Sequence, residues 1–267
     1  NAYRDAWGMD KNMQLNLGIW NSSTKKLSEA LVNLNNEMLT LLQLGKADHV
    51  LDAGCGVGGT LIHFAKAIGC TGIGITLTPH QAEKATKNAK KAGVSHLLRF
   101  EVMDYTNTSF ESEQFTAITG IESICYAEPK MAFLKEAKRL LKPGGKIALA
   151  ENLQGKDDLT KKEIRSVYTD AFNGCQVINL DTEKQYRNNL KALGFYNIQC
   201  IDETVRIRPS IVRLRKFYYP AVAYNFAHRI IGKRFSKTQE ANTKMCYHLL
   251  SSLDAGLWKY GLILATK

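Results

Sequence analysis

Residues 50–59 of this chain read Val50-Leu51-Asp52-Ala53-Gly54-Cys55-Gly56-Val57-Gly58-Gly59, and they decide the fold. An apolar run enters a glycine-rich turn, and a helix-like stretch, 60–68, follows it. A turn without Cβ atoms lets the backbone approach a ligand closely, and free N–H groups at a helix start attract negative charge. The stretch therefore predicts a strand, a ligand-binding turn and a helix, with an adenosyl-type nucleotide as the first ligand hypothesis.

Apolar runs of strand length alternate with longer amphipathic stretches along the chain, which is typical of parallel βαβ units in an α/β fold. The predicted strands are 49–52, 71–76, 97–103, 115–121, 146–150, 196–202 and 258–266. The predicted helices are 25–44, 60–68, 79–92, 130–141, 159–171 and 182–193. Pro79 in a first helical turn and the break signal Lys142-Pro143-Gly144-Gly145 support these boundaries.

The elements divide the 267 residues into four expected segments. These are an N-terminal helical extension that covers the ligand at 1–45, an α/β core at 46–203, an insertion at 204–256 and the final core strand at 257–267. The insertion is far longer than a hairpin connection requires. Long insertions at the carboxyl end of a parallel sheet usually carry binding lids, so we expect a C-terminal helical lid over a substrate pocket.

Positive charge is concentrated in the lid, although the whole chain has a net charge of +11. No acidic residue occurs from 205 to 239. The cations there are Arg206, Arg208, Arg213, Arg215, Lys216, Arg229, Lys233, Arg234 and Lys237. A solvated basic face, peripheral contact of 205–239 with an anionic membrane, and contact with an anionic substrate all stay open. No recognised nucleic-acid-binding motif accompanies the charge, so nucleic acid is not an expected partner.

Six scattered cysteines and six isolated histidines show no paired spacing, so we expect neither a disulfide framework nor a metal site. A reducing, cytoplasmic compartment is the expectation, with association to a membrane surface left open. No run of about eighteen apolar residues predicts a transmembrane helix. The chain begins at Asn1 rather than Met, which leaves open a targeting segment removed upstream.

The glycine turn also satisfies the dinucleotide fingerprint, Gly54-x-Gly56-x-x-Gly59, which alone is a weak signal. That fingerprint needs Asp or Glu at the end of the second strand to bind ribose, and the chain has Thr76 there. No Gly-Lys-Ser/Thr follows the turn, which excludes a phosphate-loop NTPase. Asp52, at the mouth of the turn, would repel a pyrophosphate and suits a cationic ligand with an amino group.

A second carboxylate, Asp104, ends the third predicted strand between Met103 and Tyr105. A carboxylate flanked by flat or polarizable side chains can accept a hydrogen bond from the adenine amino group and enclose the ring. The sequence thus places a purine site one strand away from the glycine turn.

The order Val50-Leu51-Asp52-Ala53-Gly54-Cys55-Gly56, Met103-Asp104 and Leu141-Lys142-Pro143-Gly144-Gly145 resembles class I S-adenosylmethionine-dependent methyltransferases. The resemblance is dense over 46–152 and continues beyond it in strand order. It implies a Rossmann-like, doubly wound sheet of seven strands with the last strand antiparallel. It also implies S-adenosyl-L-methionine as the cofactor and S-adenosyl-L-homocysteine as its product. The implied cofactor-binding residues are Trp20, Asp52, Gly54, Gly56, Gly59, Thr76, Gln81, Met103, Asp104, Tyr105 and Ile121.

Within that family, the chain resembles most the sterol, tocopherol and cyclopropane-fatty-acid methyltransferases and related natural-product enzymes. The segment Gly72-Ile73-Gly74-Ile75-Thr76-Leu77-Thr78-Pro79-His80-Gln81 matches their Gly-Ile-Thr-Leu-Ser…Gln segment, in which Thr replaces the ribose-binding acid. Leu15-Asn16-Leu17-Gly18-Ile19-Trp20 resembles their His-x-Gly-x-Trp segment, with Asn16 in place of His. The resemblance implies that Trp20 covers the cofactor.

The catalytic candidates lie after the fourth strand, where 121–129 resembles the Ile-Glu-Ala-x-Cys-His-Ala segment of sterol methyltransferases. Glu122 is expected to face the methyl-transfer site; the alternative is a group that holds the loop by hydrogen bonds. Tyr126 replaces His, and it is expected either to relay a proton or stabilise a cation, or to form a pocket wall. Glu151 is interpreted as a loop or lid partner.

The lid adds seven aromatic side chains, which either form core or enclose an apolar substrate: Phe217, Tyr218, Tyr219, Tyr224, Phe226, Phe235 and Tyr247. Arg213, Arg215 or Lys216 could meet a diphosphate or a phospholipid headgroup. The functional hypothesis is methylation of a small apolar metabolite, isoprenoid-derived or alkaloid-like, at carbon or nitrogen. The alternatives are a lipid or sterol methyltransferase at a membrane surface and a nucleotide-binding interaction module without catalysis.

Overall fold

The computed structural model describes residues 12–230, 232 and 235–267. Residues 1–11 of the predicted N-terminal extension, and Lys233 and Arg234 of the basic stretch, lie outside the described residues. The strands are β1 (His49–Ala53), β2 (Thr71–Thr76), β3 (Leu98–Val102), β4 (Phe115–Ile121), β5 (Leu141–Gln154), β6 (Tyr196–Asp202) and β7 (Trp258–Thr266). The helices are α1 (Leu27–Leu42), α2 (Gly59–Ile68), α3 (Pro79–Lys91), α4 (Lys130–Leu140), α5 (Lys161–Ile164), α6 (Glu183–Ala192), α7 (Thr204–Ile230) and α8 (Lys237–Asp254).

The seven strands form one sheet in the order β3-β2-β1-β4-β5-β7-β6. All neighbouring pairs are parallel except those of β7, which runs antiparallel to β5 and β6. The predicted α/β fold, a doubly wound seven-stranded sheet with its last strand antiparallel, is confirmed. The strand order reverses between β1 and β4, and in open α/β sheets ligands bind outside the carboxyl ends at this point.

Two apolar clusters cover the two faces of the sheet. One is formed with α1, α2, α7 and α8, represented by Leu34, Phe64, Ile211 and Leu249. The other is formed with α4 and α6, represented by Phe133 and Tyr186 among others. Because both faces are buried, the central strands read as almost continuous apolar runs rather than as alternating ones.

Strand β5 is longer than the predicted strand 146–150 at both ends. At its start, Leu141 pairs with Phe115 before the Pro-Gly-Gly turn, and a register shift separates this pair from the next one. At its end, antiparallel pairing with β7 continues to Gln154, opposite Trp258. Pairing with a distant strand therefore extends β5 past the point at which its own sequence stops being apolar.

Residues 159–171, predicted as one helix, form the short α5 and then a π-helix, Arg165–Ala171. The start follows the capping signal in the sequence, because the Thr160 hydroxyl accepts a hydrogen bond from Glu163 N. Val167 and Ala171 of the π-helix are buried in the cluster that α8 shares. The predicted helical region is thus present, but with a wider turn in its second half.

The insertion 204–256, predicted to form a lid, contains the two long helices α7 and α8. The first half of α7 packs on the core through Ile207, Ile211 and Leu214. Its second half carries many exposed side chains. Within the described ranges, none of the helices combines the length and the apolar character needed to cross a bilayer.

Candidate functional site

A cavity of about 390 Å³ lies at the carboxyl ends of β1, β2 and β4. Its size falls within the range of small-molecule sites. Ten of the thirteen predicted site residues line it: Asp52, Gly54, Gly56, Gly59, Thr76, Gln81, Tyr105, Ile121, Glu122 and Tyr126. The N-terminal residues 13–16 line it as well. The structure thus brings the glycine turn and the predicted catalytic loop to one space.

The glycine turn is held in a conformation that side chains would obstruct. Gly54 has φ +85°, and a Cβ there would lie 2.4 Å from the Cβ of Ser123. A Cβ on Gly59 would lie 2.4 Å from the carbonyl oxygen of Met13. The turn itself is fixed by hydrogen bonds from the N–H groups of Gly54 and Cys55 to Ile75 O, at 3.0 and 2.9 Å. Glycine at these positions therefore permits both the turn and the close approach of the N-terminal segment.

Asp52 is the most informative group in this cavity. It is only 3% exposed, yet within the described residues its carboxylate has no hydrogen-bond partner. Burial raises its pKa to about 7. A buried carboxylate that lacks donors is costly, and a cationic ligand in the cavity would compensate it. This fits the amino group expected of the ligand.

Thr76 and Gln81 form a polar pair at the end of β2. The Thr76 hydroxyl donates to Gln81 Oε1 at 2.7 Å, so the Gln81 amide nitrogen is turned away from that bond. Both residues line the cavity. An amide donor and a hydroxyl can hydrogen-bond the hydroxyl groups of a ribose, which is the role that an acid has in dinucleotide-binding folds.

Trp20, Met103 and Asp104 are outside the lining of this cavity. Met103 packs against the second core cluster, and its N–H donates to Thr76 O at 3.1 Å. Asp104 is exposed, and its Oδ1 accepts from the N–H and hydroxyl of Thr106, each at 2.8 Å. Trp20 Nε1 donates to the Ser210 hydroxyl at 2.8 Å. Among the described N-terminal residues, 13–16 line this cavity, whereas Trp20 lies outside its lining.

Glu122, directly after β4, lies where three cavities meet. Its backbone is left-handed, with φ +49°, an uncommon conformation for a residue with a side chain. Oε1 accepts hydrogen bonds from Leu17 N at 2.7 Å and from the Tyr260 hydroxyl at 3.0 Å. Burial raises the pKa of the carboxyl to about 8. The second oxygen, Oε2, has no hydrogen-bond partner in the described chain.

Tyr126 lies in the loop after β4, and Glu151 of β5 contacts that loop from the neighbouring strand. The Tyr126 hydroxyl donates to Cys175 O at 3.0 Å, and its ring lines two cavities. Glu151 is fully buried, and its carboxylate accepts hydrogen bonds from three successive backbone N–H groups, those of Ser123, Ile124 and Cys125. Glu151 is therefore a loop partner that holds the segment carrying Glu122 and Tyr126.

Two smaller spaces adjoin the main cavity on the side of the lid. One has a volume of about 260 Å³ and the other of about 50 Å³, and Glu122, Asn152 and Leu15 line both. Their walls are otherwise mostly apolar and include Phe172, Ile211, Leu214, Leu249 and Trp258. We call these two spaces the acceptor cavities. Asn152 is buried there, and its Oδ1 has no hydrogen-bond partner among the described residues.

The N-terminal segment and the lid are joined through one buried hydroxyl. Ser210 of α7 donates to Leu17 O at 2.5 Å and accepts from Trp20 Nε1. The backbone N–H of Trp20 donates to the backbone oxygen of Arg206 at 2.9 Å. Because Leu17 also bonds Glu122, the cover of the main cavity, the lid and the catalytic candidate form one hydrogen-bonded unit.

Substitution of Ser210 by Ala is expected to lower the free energy of unfolding by about 2 kcal/mol, because it leaves a buried carbonyl and an indole N–H unpaired. Urea unfolding measures this effect. Ser251→Ala is the matched control, since Ser251 is an exposed helical serine and only bonds its own helix at 3.5 Å. Equal stability of the two variants would contradict the proposed junction.

Sequence reasoning did not find Asn152, Tyr260 or Ser210. Asn152 lies opposite Tyr260 in the β5–β7 register, and the sequence prediction ended β5 before Asn152. The sequence signal available for Asn152 was the polar pair Glu151-Asn152, which directly follows the predicted apolar strand. Tyr260 and Ser210 are distant in sequence from the loop that they support, so no local pattern marks them.

The sequence profile of a family described as a methyltransferase domain matches residues 50–145. These residues contain most of β1, the glycine turn and the loop that follows β4, which line the cavity. The chain is 31% identical over 205 residues to 27-O-demethylrifamycin SV methyltransferase of Amycolatopsis mediterranei, a match that covers 76% of this chain and 73% of the relative.

Two further comparisons agree with this match. Sarcosine/dimethylglycine N-methyltransferase of Halorhodospira halochloris is 25% identical over 217 residues, which cover 81% of this chain and 75% of the relative. The crystal structure of geranyl diphosphate C-methyltransferase from Streptomyces coelicolor, in complex with Mg²⁺, geranyl diphosphate and S-adenosyl-L-homocysteine, superposes with a TM-score of 0.73. The superposition covers 99% of this chain and 96% of that chain. Because the sequence identity is 18%, the match shows a similar fold and no more.

The fold and the cavity define a class I methyltransferase. The chain belongs to the S-adenosylmethionine-dependent methyltransferases, and it is an enzyme of the type that methylates small molecules. Its cofactor is S-adenosyl-L-methionine. Within residues 12–230, 232 and 235–267, no group of three or more His, Cys, Asp or Glu side chains is arranged to hold a metal ion.

Proposed function

We propose that this enzyme methylates a carbon or nitrogen atom of a small apolar molecule that is neutral or cationic, of the isoprenoid-derived or alkaloid-like class. One observation carries the proposal. Glu122 is the single carboxylate among the described residues lining the acceptor cavities, and no Lys or Arg joins it there. An apolar space with one buried carboxylate attracts a cation or a group that becomes cationic, and it disfavours an anion.

The same geometry supports a place for each part of the cofactor. Asp52 would pair with its amino group, and Thr76 with Gln81 would bind the ribose hydroxyls. The purine would lie toward the open edge with Tyr105, where Asp104 Oδ2 is free of hydrogen bonds within the described chain. Met103 would support it from the core, and Gly54, Gly56, Gly59 and Ile121 would provide the close walls. When bound, S-adenosyl-L-methionine supplies an activated methyl group on a sulfonium.

Glu122 then has a defined task at the boundary between the cofactor and the acceptor. An alkene acceptor uses its π electrons to form the new carbon–carbon bond as the carbon–sulfur bond breaks, and a carbocation results. The Glu122 carboxylate stabilises that charge and accepts the proton lost from the adjacent carbon. A tertiary amine acceptor uses its lone pair instead, and the carboxylate stabilises the ammonium product. Either cation favours the ionised carboxylate and so lowers its raised pKa.

The basic residues considered for an anionic substrate lie elsewhere. Arg213 stacks over the Phe217 ring at 5.1 Å, and Arg215 stacks over the Tyr247 ring at 4.3 Å. Lys216 is exposed. None of the three lines the acceptor cavities. A diphosphate-bearing acceptor is therefore disfavoured relative to a neutral isoprenoid or an amine.

A screen with radiolabelled cofactor tests the proposal. The panel contains neutral prenyl alcohols, prenyl diphosphates, sterols, tertiary alkaloid amines and phenols, and products are analysed by mass spectrometry. We expect label on carbon or nitrogen of a neutral prenyl or amine compound. Label confined to phenolic oxygen, or to diphosphates, would refute the proposed acceptor class while leaving the methyltransferase assignment intact.

Asn152→Ala is expected to raise the KM for the acceptor about tenfold, because the buried amide would no longer accept a hydrogen bond from a hydroxyl or N–H of the acceptor. The affinity for S-adenosylhomocysteine should not change, since Asn152 lies outside the cofactor cavity. Asn242→Ala is the control, because Asn242 lines only the larger acceptor cavity and has no orphaned buried atom. An unchanged acceptor KM for Asn152→Ala would contradict this role.

A further inference from the structure

The second half of α7 carries an apolar stripe that nothing in the described chain covers. Its members are Tyr219, Val222, Phe226 and Ile230, with exposed fractions of 61, 41, 66 and 72%. They follow one another at spacings of three, four and four residues, which places all four on one face of a helix. Large apolar side chains that are exposed singly are common, but a helical row of four is a contiguous patch.

This stripe is separate from the face by which α7 packs on the protein. Ile207, Ile211 and Leu214 form the buried face of the first half. In the second half, Asn225 continues toward α8, where its amide donates to the Thr243 hydroxyl at 3.2 Å. At 100° per residue, the centre of the stripe lies about a quarter of a turn away from that face. The stripe therefore points outward along the whole of its length.

The basic stretch that contains the stripe carries cations without ion-pair partners in the described chain. Of the described cations in 205–239, Arg206, Arg208 and Arg229 have carboxylate partners: Glu37 and Glu203, Asp254, and Glu240. Arg213, Arg215, Lys216 and Lys237 form no ion pair in the described chain, and no acidic residue occurs in the segment to neutralise them. Lys216 lies one turn before the stripe and is exposed.

We propose that this face of α7 docks on an anionic lipid bilayer, with the stripe in the headgroup–acyl boundary and the cations at the headgroups. Apolar side chains on one face and basic residues beside them are the combination that holds a helix in a membrane interface. A second copy of this chain would bring the same positive charge and would be repelled. A nucleic acid would use the cations but leave the apolar stripe in water.

The position of the stripe connects it to the site. The same helix lines the smaller acceptor cavity through Ile211 and Leu214. Docking would therefore hold the acceptor cavities near a bilayer in which apolar acceptors concentrate. The docking itself does not depend on the identity of the acceptor, and vesicle binding measures it without a substrate.

Flotation of the full chain with vesicles tests the proposal. One set of vesicles is phosphatidylcholine alone, and the other contains about 30% phosphatidylserine to supply the negative surface potential. We expect binding to the anionic vesicles and little binding to the neutral ones. The double variant Phe226→Ser/Ile230→Ser should bind about tenfold more weakly or worse, since burial of each side chain contributes. Lys216→Gln should bind about fivefold more weakly, as one cation at the surface contributes on this scale.

Tyr224→Ser is the matched control, because Tyr224 is an exposed aromatic residue of the same helix outside the stripe. It should bind as the unsubstituted chain does, and all variants alter exposed residues, so their melting temperatures should agree. Three outcomes would overturn the proposal. They are failure to bind anionic vesicles, equal binding by the stripe variant, and a concentration-dependent dimer that the stripe variant abolishes in the absence of vesicle binding.

Discussion

Replacement of Glu122 by Gln is expected to lower kcat by about 10²- to 10⁴-fold, which is the usual contribution of a positioned acid–base group. The amide keeps the size of the side chain and can still bond Leu17 N through its oxygen, but it neither accepts a proton nor stabilises a cation by charge. The measurement is steady-state turnover at saturating cofactor, with the acceptor that the labelled screen identifies.

Two controls separate catalysis from folding in this variant. Tyr260→Phe removes one hydrogen bond to Glu122 Oε1 and leaves the carboxylate, so its loss of kcat should be smaller by at least about tenfold. The affinity of Glu122→Gln for S-adenosylhomocysteine should be close to that of the unsubstituted enzyme. Full turnover by Glu122→Gln would show that Glu122 only supports the loop.

Replacement of Asp52 by Asn should weaken the binding of S-adenosylhomocysteine about a hundredfold, because a buried cation in the complex would lose its counter-charge. The predicted effect depends on pH. In the free protein the pKa of Asp52 is about 7, raised by burial. Next to a bound ammonium group the carboxylate is favoured, so its pKa falls in the complex.

The direction in which the affinity changes with pH follows from the release of a proton on binding. Below about pH 7 the free carboxyl is mostly protonated, and binding must expel that proton, so affinity falls as the pH falls. For the free-protein pKa of about 7, affinity should rise about tenfold from about pH 6 to about pH 8. Calorimetry in buffers of different ionisation enthalpy counts the protons released.

Because Glu122 also has a raised pKa, it must be separated from Asp52 in this experiment. The slope of affinity with pH should persist in Glu122→Gln and disappear in Asp52→Asn. A slope that survives in Asp52→Asn would assign the proton to another group, and a pH-independent affinity in the unsubstituted enzyme would place the ligand's amino group elsewhere.

Much of the fold could be predicted because its signals are local. The glycine turn after Val50-Leu51, the proline at the start of α3 and the alternation of apolar runs each depend on neighbouring residues. The predicted bounds of β2, β4, β6 and β7 agree with the structure. β5 was predicted too short because its last residues are in the strand only through pairing with β7, which comes more than a hundred residues later.

The grouping of the candidate residues around one cavity could be predicted for the same reason. Asp52, Thr76 and Glu122 lie at strand ends, and parallel strands bring their carboxyl ends to one edge of the sheet. The cover over the cavity was not predictable in this way. Residues 13–16 reach it because Gly18 turns the chain and Leu17 bonds Glu122, contacts between segments that are far apart in sequence. The hydrogen bond from the Trp20 indole to Ser210 likewise joins residues that are 190 positions apart in the chain.

The central claim is that the cavity beside the glycine turn orients the cofactor between Asp52 and Glu122. A crystal structure with S-adenosylhomocysteine measures this directly. We predict the amino group within hydrogen-bonding distance of the Asp52 carboxylate and the sulfur directed toward Glu122 and the acceptor cavities. An empty cavity, or a ligand reversed so that its purine lies against Asp52, would contradict the account.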